Sequence, residues 1–334
     1  MPSLYLNVFA VLSEPDIARL RFASMVIVLV GGVGAGYLAS NKFGVPETLA
    51  KKIMTILLVC FHWLIALLVI WHMQLKSEHI WLPIVGVVLM FLMAGLSTVL
   101  FLCFKVDPKT RFTLILAAAL SNLGYTGGAF VCYAIFGFAG LALASIYPVL
   151  WMPTVYLILI PTLKAYELRS NNPDAKFKLI HALDCRLLIV PAVIIAIVLN
   201  LFRLKPPEFI SRFHIIDILV YIASSLAFFA IGLRVNLPRL RRHTNLYLPV
   251  IVIKFILTPV VALLLVYILT MTGQNLTGLL RNVIIVLSLA PSAVVVVTMS
   301  NVFSLDAPLA SAVWVVTMAV FVVIVVPVLF LIFS

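Results

Sequence analysis

Ser121-Asn122-Leu123-Gly124-Tyr125-Thr126-Gly127-Gly128 interrupts an apolar run over residues 111–136 that otherwise reads as a membrane-spanning helix. Gly124, Gly127 and Gly128 weaken a helix and let other backbone approach closely. Ser121, Asn122, Tyr125 and Thr126 bring side-chain donors and acceptors to the same place. A broken helix frees backbone N–H and C=O groups, which are tolerated at membrane depth only where protein buries them or they line a cavity. A second interruption, Ser288-Leu289-Ala290-Pro291-Ser292, falls inside the run 276–301. Pro291 removes one internal hydrogen bond there and clashes with the preceding turn. Paired interruptions at corresponding places in two halves of a chain point to the binding site of a transporter. Each break also has a plainer reading. Small residues pack membrane helices together, and Ser288 and Ser292 can return their hydroxyls to carbonyls freed by the proline.

The frame around the breaks is a membrane protein. The chain has 334 residues, 64% of them hydrophobic and 10% charged, with a mean hydropathy of +1.24. Such long apolar runs are membrane spans. They fall at about 18–40, 50–72, 80–103, 111–136, 139–163, 186–204, 213–234, 246–270, 276–301 and 306–332. The longest polar connection, Lys164 to Asp184, divides the ten spans five and five. An odd number per half makes the second half cross the membrane in the opposite sense. The expected fold is an all-α membrane protein of ten transmembrane helices. Two inverted five-helix repeats, 1–163 and 186–334, carry broken crossover helices 4 and 9 and are joined by a linker, 164–185.

The net charge of +12 does not read as a nucleic-acid surface, because the basic residues are spread among short loops and form no single patch. Fifteen of the 23 Lys and Arg residues fall on the side of the central loop and six on the other, with Lys254 and Arg281 inside spans. This bias predicts a cytoplasmic central loop and external termini in a plasma (inner) membrane protein. Asn172-Pro173-Asp174 opens a short amphipathic helix in the linker, to lie on the membrane surface or act as a tether. Met1 to Leu12 reads as an interfacial piece, with Ser13 as a helix N-cap.

Few other residues carry chemistry. His62 in span 2 is a proton relay or a hydrogen-bonded structural histidine. Lys254 either snorkels to the cytoplasmic surface or faces a substrate, and Arg281, nearer a span end, snorkels. Asp217 is a coupling carboxylate or an acid favoured by a helix N-terminus. Ser224 and Ser225 face a cavity or bond back to their own helix. Cys60, Cys103, Cys132 and Cys185 form no metal or disulfide pattern. The sequence holds no HExxH, GxSxG or nucleotide-binding loop, so neither an enzyme nor an ATP-driven pump is expected, and no cofactor or metal.

Four segments resemble the auxin efflux carrier family of membrane transporters, which includes bacterial permeases. Asn122-Leu123-Gly124-Tyr125-Thr126-Gly127 is similar to its Asn-x-Gly-Phe-x-Gly segment, and Gly140-Leu141-Ala142-Leu143-Ala144-Ser145 continues the likeness. Ala290-Pro291-Ser292-Ala293-Val294 resembles its Met-Pro-Ser-Ala-Val segment, and Leu309-Ala310-Ser311-Ala312-Val313 opens a tenth span like the family's. The resemblance implies unwound helices 4 and 9 that cross near the substrate, and carriage of a small organic anion such as a carboxylate by elevator-like alternation. It places substrate contacts at Asn122, Gly124, Tyr125, Gly127, Pro291 and Ser292, with Thr126 and Gly128 in the same stretch. Ala129 stands where the family commonly has proline, Val295 where it has a polar residue, and Met152 where it has asparagine after Trp151. The apolar second crossover implies a more hydrophobic substrate or weaker polar coordination. Partners are a small organic anion and the lipid bilayer, with no nucleic acid and a homodimer left open. A sodium symporter like the bile-acid group and a non-transporting ligand sensor are the competing readings.

Overall fold

The computed structural model describes residues 14–159, 161, 189–235, 244–274, 276, 278–303 and 305–333. The amphipathic helix expected after Asn172, the piece Met1 to Leu12 and the Ser13 cap lie outside the described residues.

Among the described residues the protein is all helical, without a sheet. In the first half, α1 is Glu14–Phe43, and α2 runs through Glu47–Ile56, a π turn at Leu57–His62, and Trp63–His72. They are followed by α3 (Trp81–Leu102), α4 (Pro108–Ala119), α5 (Gly128–Ile146) and α6, made of Trp151–Thr154 and Val155–Leu159. In the second half, α7 is Ile189–Leu201 and α8 is Ile215–Gly232. Helix α9 is Thr244–Val252, a π turn at Ile253–Leu257 and Thr258–Met271. The last three are α10 (Leu279–Ser288), α11 (Val294–Val302) and α12, which begins with Ala307–Val320 and ends with Val326–Phe333.

Among the described residues seven helical stretches are, by length and composition, long and apolar enough to cross a membrane: 19–43, 48–72, 77–102, 128–146, 215–232, 245–271 and 307–333. Large apolar side chains such as Ile27, Val99, Tyr267 and Leu331 stand exposed on them, as on helices whose solvent is lipid. Helix α5 differs. It is apolar all round and almost wholly buried, as a central helix must be. It is also not one straight rod. Gly137 takes φ 64° and ψ −149°, and a side chain at Gly140 would start 2.6 Å from the Cβ of Phe136 and against the carbonyl of Cys132. In a straight helix residues eight apart are about 12 Å distant, so the chain folds back at Gly137. This is the boundary that the apolar pattern puts between the spans 111–136 and 139–163.

Helix pairing crosses between the halves. α1 packs along α8, and the final segment of α2 packs against α7. The α1–α8 contact is close because it is made by small residues: a Cβ at Gly36 would lie 2.9 Å from the Cα of Gly232. The α2–α7 contact is pinned by polar ends. The Asn200 amide donates to the carbonyls of Ile70, Trp71 and Met73, and the Trp71 indole donates to Leu204 O at 2.7 Å. At the opposite face Asp107 and Asp306 cap α4 and α12, accepting from the amides of Thr110 and Leu309 respectively. Thr110 then donates its hydroxyl to Asp306 at 3.1 Å and ties the two starts together.

Candidate functional site

Helix α4 stops at Ala119 and α10 stops at Ser288, and the two breaks meet. Asn122 N donates to Pro291 O at 2.8 Å, and Ala293 N donates to Leu120 O at 2.9 Å. The two bonds flank Ser121 and Ser292, which form an isolated antiparallel bridge. Four helix ends therefore converge: the C-termini of α4 and α10 and the N-termini of α5 and α11.

The first break is braced by its own side chains. The Thr126 hydroxyl donates to Asn122 Oδ1 at 2.9 Å, and Asn122 Nδ2 donates to Thr126 O at 3.3 Å. Asn122 O accepts from Gly128 N at 3.0 Å. That closing bond leaves no room for a side chain at Gly127, whose Cβ would press on the Asn122 carbonyl and sit 3.2 Å from its Nδ2. A Cβ at Gly128 would start 2.6 Å from Leu287 Cδ2 and 3.5 Å from Ala290 Cβ, so this glycine lets α5 approach the end of α10. The Tyr125 carbonyl accepts from Ser224 Oγ at 3.0 Å, and its ring lies 5.2 Å from that of His62. The amides of Gly124, Tyr125 and Thr126 find no acceptor among the described residues. Three adjacent free N–H groups at the start of a helix suit an anion.

The second break is fixed by its neighbours instead. Ser292 Oγ donates to Ala117 O at 2.7 Å, and Ser292 N donates to Thr317 Oγ1 at 3.3 Å. Ser288 returns its hydroxyl to Ile285 O at 2.7 Å, which is the plainer of the two readings of that serine. Asn122, Tyr125, Thr126, Pro291 and Ser292 are all buried, and Gly124 is half-buried.

The remaining candidates divide. Lys254 does not snorkel. Its side chain is fully buried and turns inward, with Nζ 2.9 Å from Leu120 O and 2.8 Å from Ser121 Oγ. The hydropathy pattern alone misses this because it registers depth, not direction; the oxygen acceptors of the break lie nearer than water. His62 reaches the first break through Tyr125. Asp217 does not: it accepts from the Tyr133 hydroxyl at 2.5 Å and meets His214 Nδ1 at 3.3 Å in the first turn of α8. Ser224 does not back-bond to its own helix: its hydroxyl goes to Tyr125 O. Arg281 is exposed, as a snorkelling residue is. Thr317, the partner of the Ser292 amide, was not singled out in the sequence. Its only signal is a hydroxyl inside an apolar span, and helix back-bonding ordinarily accounts for that.

A small cavity opens beside Ser121, lined by Leu89, Met90, Met93, Tyr147, Trp151 and Thr258 among others. Its volume is about 10 Å³, room for a single water.

The family model described as membrane transport protein matches residues 21–329, nearly the whole chain and both breaks. The chain belongs to this membrane transport protein family. Among curated proteins none matches it. Membership agrees with the likeness to auxin efflux carriers read from the two broken segments. It makes the chain an integral membrane protein of a transporter family.

Proposed function

We propose that this protein is a secondary transporter of a small organic anion, a carboxylate with an apolar body, bound where the breaks of α4–α5 and α10–α11 join. The observation that carries this reading is the three free amides of Gly124, Tyr125 and Thr126, held in place by the Asn122–Thr126 brace. Asn122, Tyr125 and Thr126, with Gly124, Gly127 and Gly128, form the anion side. Pro291 and Ser292 form the opposing wall. Leu89, Met90 and Met93 beside Ser121 suit an apolar substrate body. The cavity is too small for such a body, so loading requires α3 and α6 to separate from the breaks.

The reading includes two inverted five-helix repeats, 1–163 and 186–334, with an elevator-like alternation that carries the site across the membrane. The pairing of helices supports it. If α1 corresponds to α7 and α2 to α8, the α1–α8 and α2–α7 contacts exchange under that correspondence, as a two-fold related pair must. The charge bias of the loops sets the orientation, with the central loop in the cytoplasm and both termini outside.

Counterflow in proteoliposomes tests the function. Vesicles preloaded with benzoate, phenylacetate or succinate should accumulate labelled substrate of at least one kind, and aromatic monocarboxylates should exceed succinate. Binding of a carboxylate without any exchange would favour the sensor reading and contradict transport.

A further inference from the structure

Lys254 belongs to the second half, yet both of its hydrogen bonds go to the first break: Nζ donates to Leu120 O and to Ser121 Oγ. Leu120 O also accepts the Ala293 amide, so one carbonyl binds the ammonium and the second break together. Among the described residues no carboxylate pairs with Lys254. An ammonium buried without a counter-charge costs more than two hydrogen bonds to neutral oxygens return. A cap for the last turn of α4 is therefore not a sufficient reason for a charge at this depth.

The oxygens it meets explain it better. Leu120 is the C-cap of α4, the negative end of a helix dipole. Unwound carbonyls and helix C-termini at paired breaks are the ligands that transporters offer to a coupling cation. Here the cation-binding oxygens are occupied by a cation on a side chain. It stands on a π turn, 253–257, which is closed by the Thr258 hydroxyl donating to Ile253 O at 2.7 Å. A free ion at the same oxygens would sit within a few ångströms of the ammonium, and like charges so close in a low-dielectric interior exclude each other.

We propose that Lys254 is a tethered coupling cation: its ammonium fills the oxygen positions at the join of the two breaks, so the site supplies its own positive charge to a bound anion and needs no sodium. The proposal rests on the anion-transport reading, because the anion in transit supplies the missing counter-charge. Among the described residues two of the three ammonium protons are engaged, and in this proposal the third meets the carboxylate.

The test uses the purified full chain and no organic anion, so its outcome is separate from that of the transport assay. Thermal unfolding is followed in sodium, potassium and choline chloride at equal ionic strength. Wild type should unfold at the same temperature in all three salts. Lys254→Ala should unfold earlier in choline chloride and recover part of the loss in sodium, in a saturable way, because a bound ion stabilises the folded state by mass action. Lys254→Thr, which adds a hydroxyl oxygen to the vacated position, should behave likewise and serves if the alanine variant does not fold. A sodium-specific rise in wild type overturns the proposal. So does a folded Lys254 variant that is indifferent to the three salts.

Discussion

The two breaks are unequal. The first is long, rich in side-chain polarity, closed on itself by Asn122 and Thr126, and leaves three amides without an acceptor among the described residues. The second is short and apolar, and its one hydroxyl near the join, Ser292, is committed to Ala117 O in the other half. One break therefore presents donors, while the other holds it in place. The difference teaches that matched positions in two halves of a transporter fold need not share the work. In the proposed function the site's chemistry is concentrated on the first half, with the second contributing backbone, a wall and the charge of Lys254.

Substitutions can break this comparison. The largest effect is expected at Gly127, where a methyl group meets the rigid Asn122 carbonyl. Gly127→Ala should cost about 1–3 kcal/mol, as overpacking does, seen as a lower unfolding temperature of the purified protein. Unchanged stability would mean the loop is not closed as described. Asn122→Ala comes next. It removes both bonds of the brace, at about 0.5–1.5 kcal/mol each, and should weaken carboxylate binding as well. Ser292→Ala removes one bond and should leave binding nearly untouched. Equal binding losses at the two positions would erase the distinction between the breaks.

A double-mutant cycle sharpens the same point. Asn122→Ala and Thr126→Val should be non-additive by about 0.5–3 kcal/mol, as for residues in direct contact, whereas Ser292→Ala with Thr126→Val should add. The smallest effects belong to the capping aspartates far from the join. Asp107→Ala should cost about 0.5–2 kcal/mol. Asp306→Ala should cost somewhat more, because it also releases Thr110.

The membrane frame was legible from hydropathy, and so were the two breaks, because glycine clusters and an internal proline act locally on the backbone. Most of the spans read from apolar runs return as long apolar helices among the described residues. The turn at Gly137 was legible as a boundary between two runs, though not as the positive φ that makes it. Direction was not legible. The sequence puts Lys254 at a certain depth in its span, but whether its ammonium goes to water or to Leu120 O depends on a contact between residues 134 apart. Ser224 and Thr317 escape for the same reason. Each is a hydroxyl in an apolar run, and its partner lies in a break far away in the chain. Asn122 was visible as part of the first break, but its tie to Thr126 needs the loop to curl, which spacing alone does not specify.

Everything above depends on the two breaks meeting at Ser121 and Ser292. The bonds from Asn122 N and Ala293 N flank that pair, so it is the non-hydrogen-bonded kind, with Cα atoms about 4.5 Å apart, within reach of a disulfide. The direct test replaces both serines by cysteine in a chain freed of its native cysteines, with a protease site inserted in the linker at position 172. After mild oxidation in membranes and cleavage, the two halves should migrate as one band without reductant and as two with it. Two separate halves from the 121–292 pair after the same oxidation and cleavage would contradict the account.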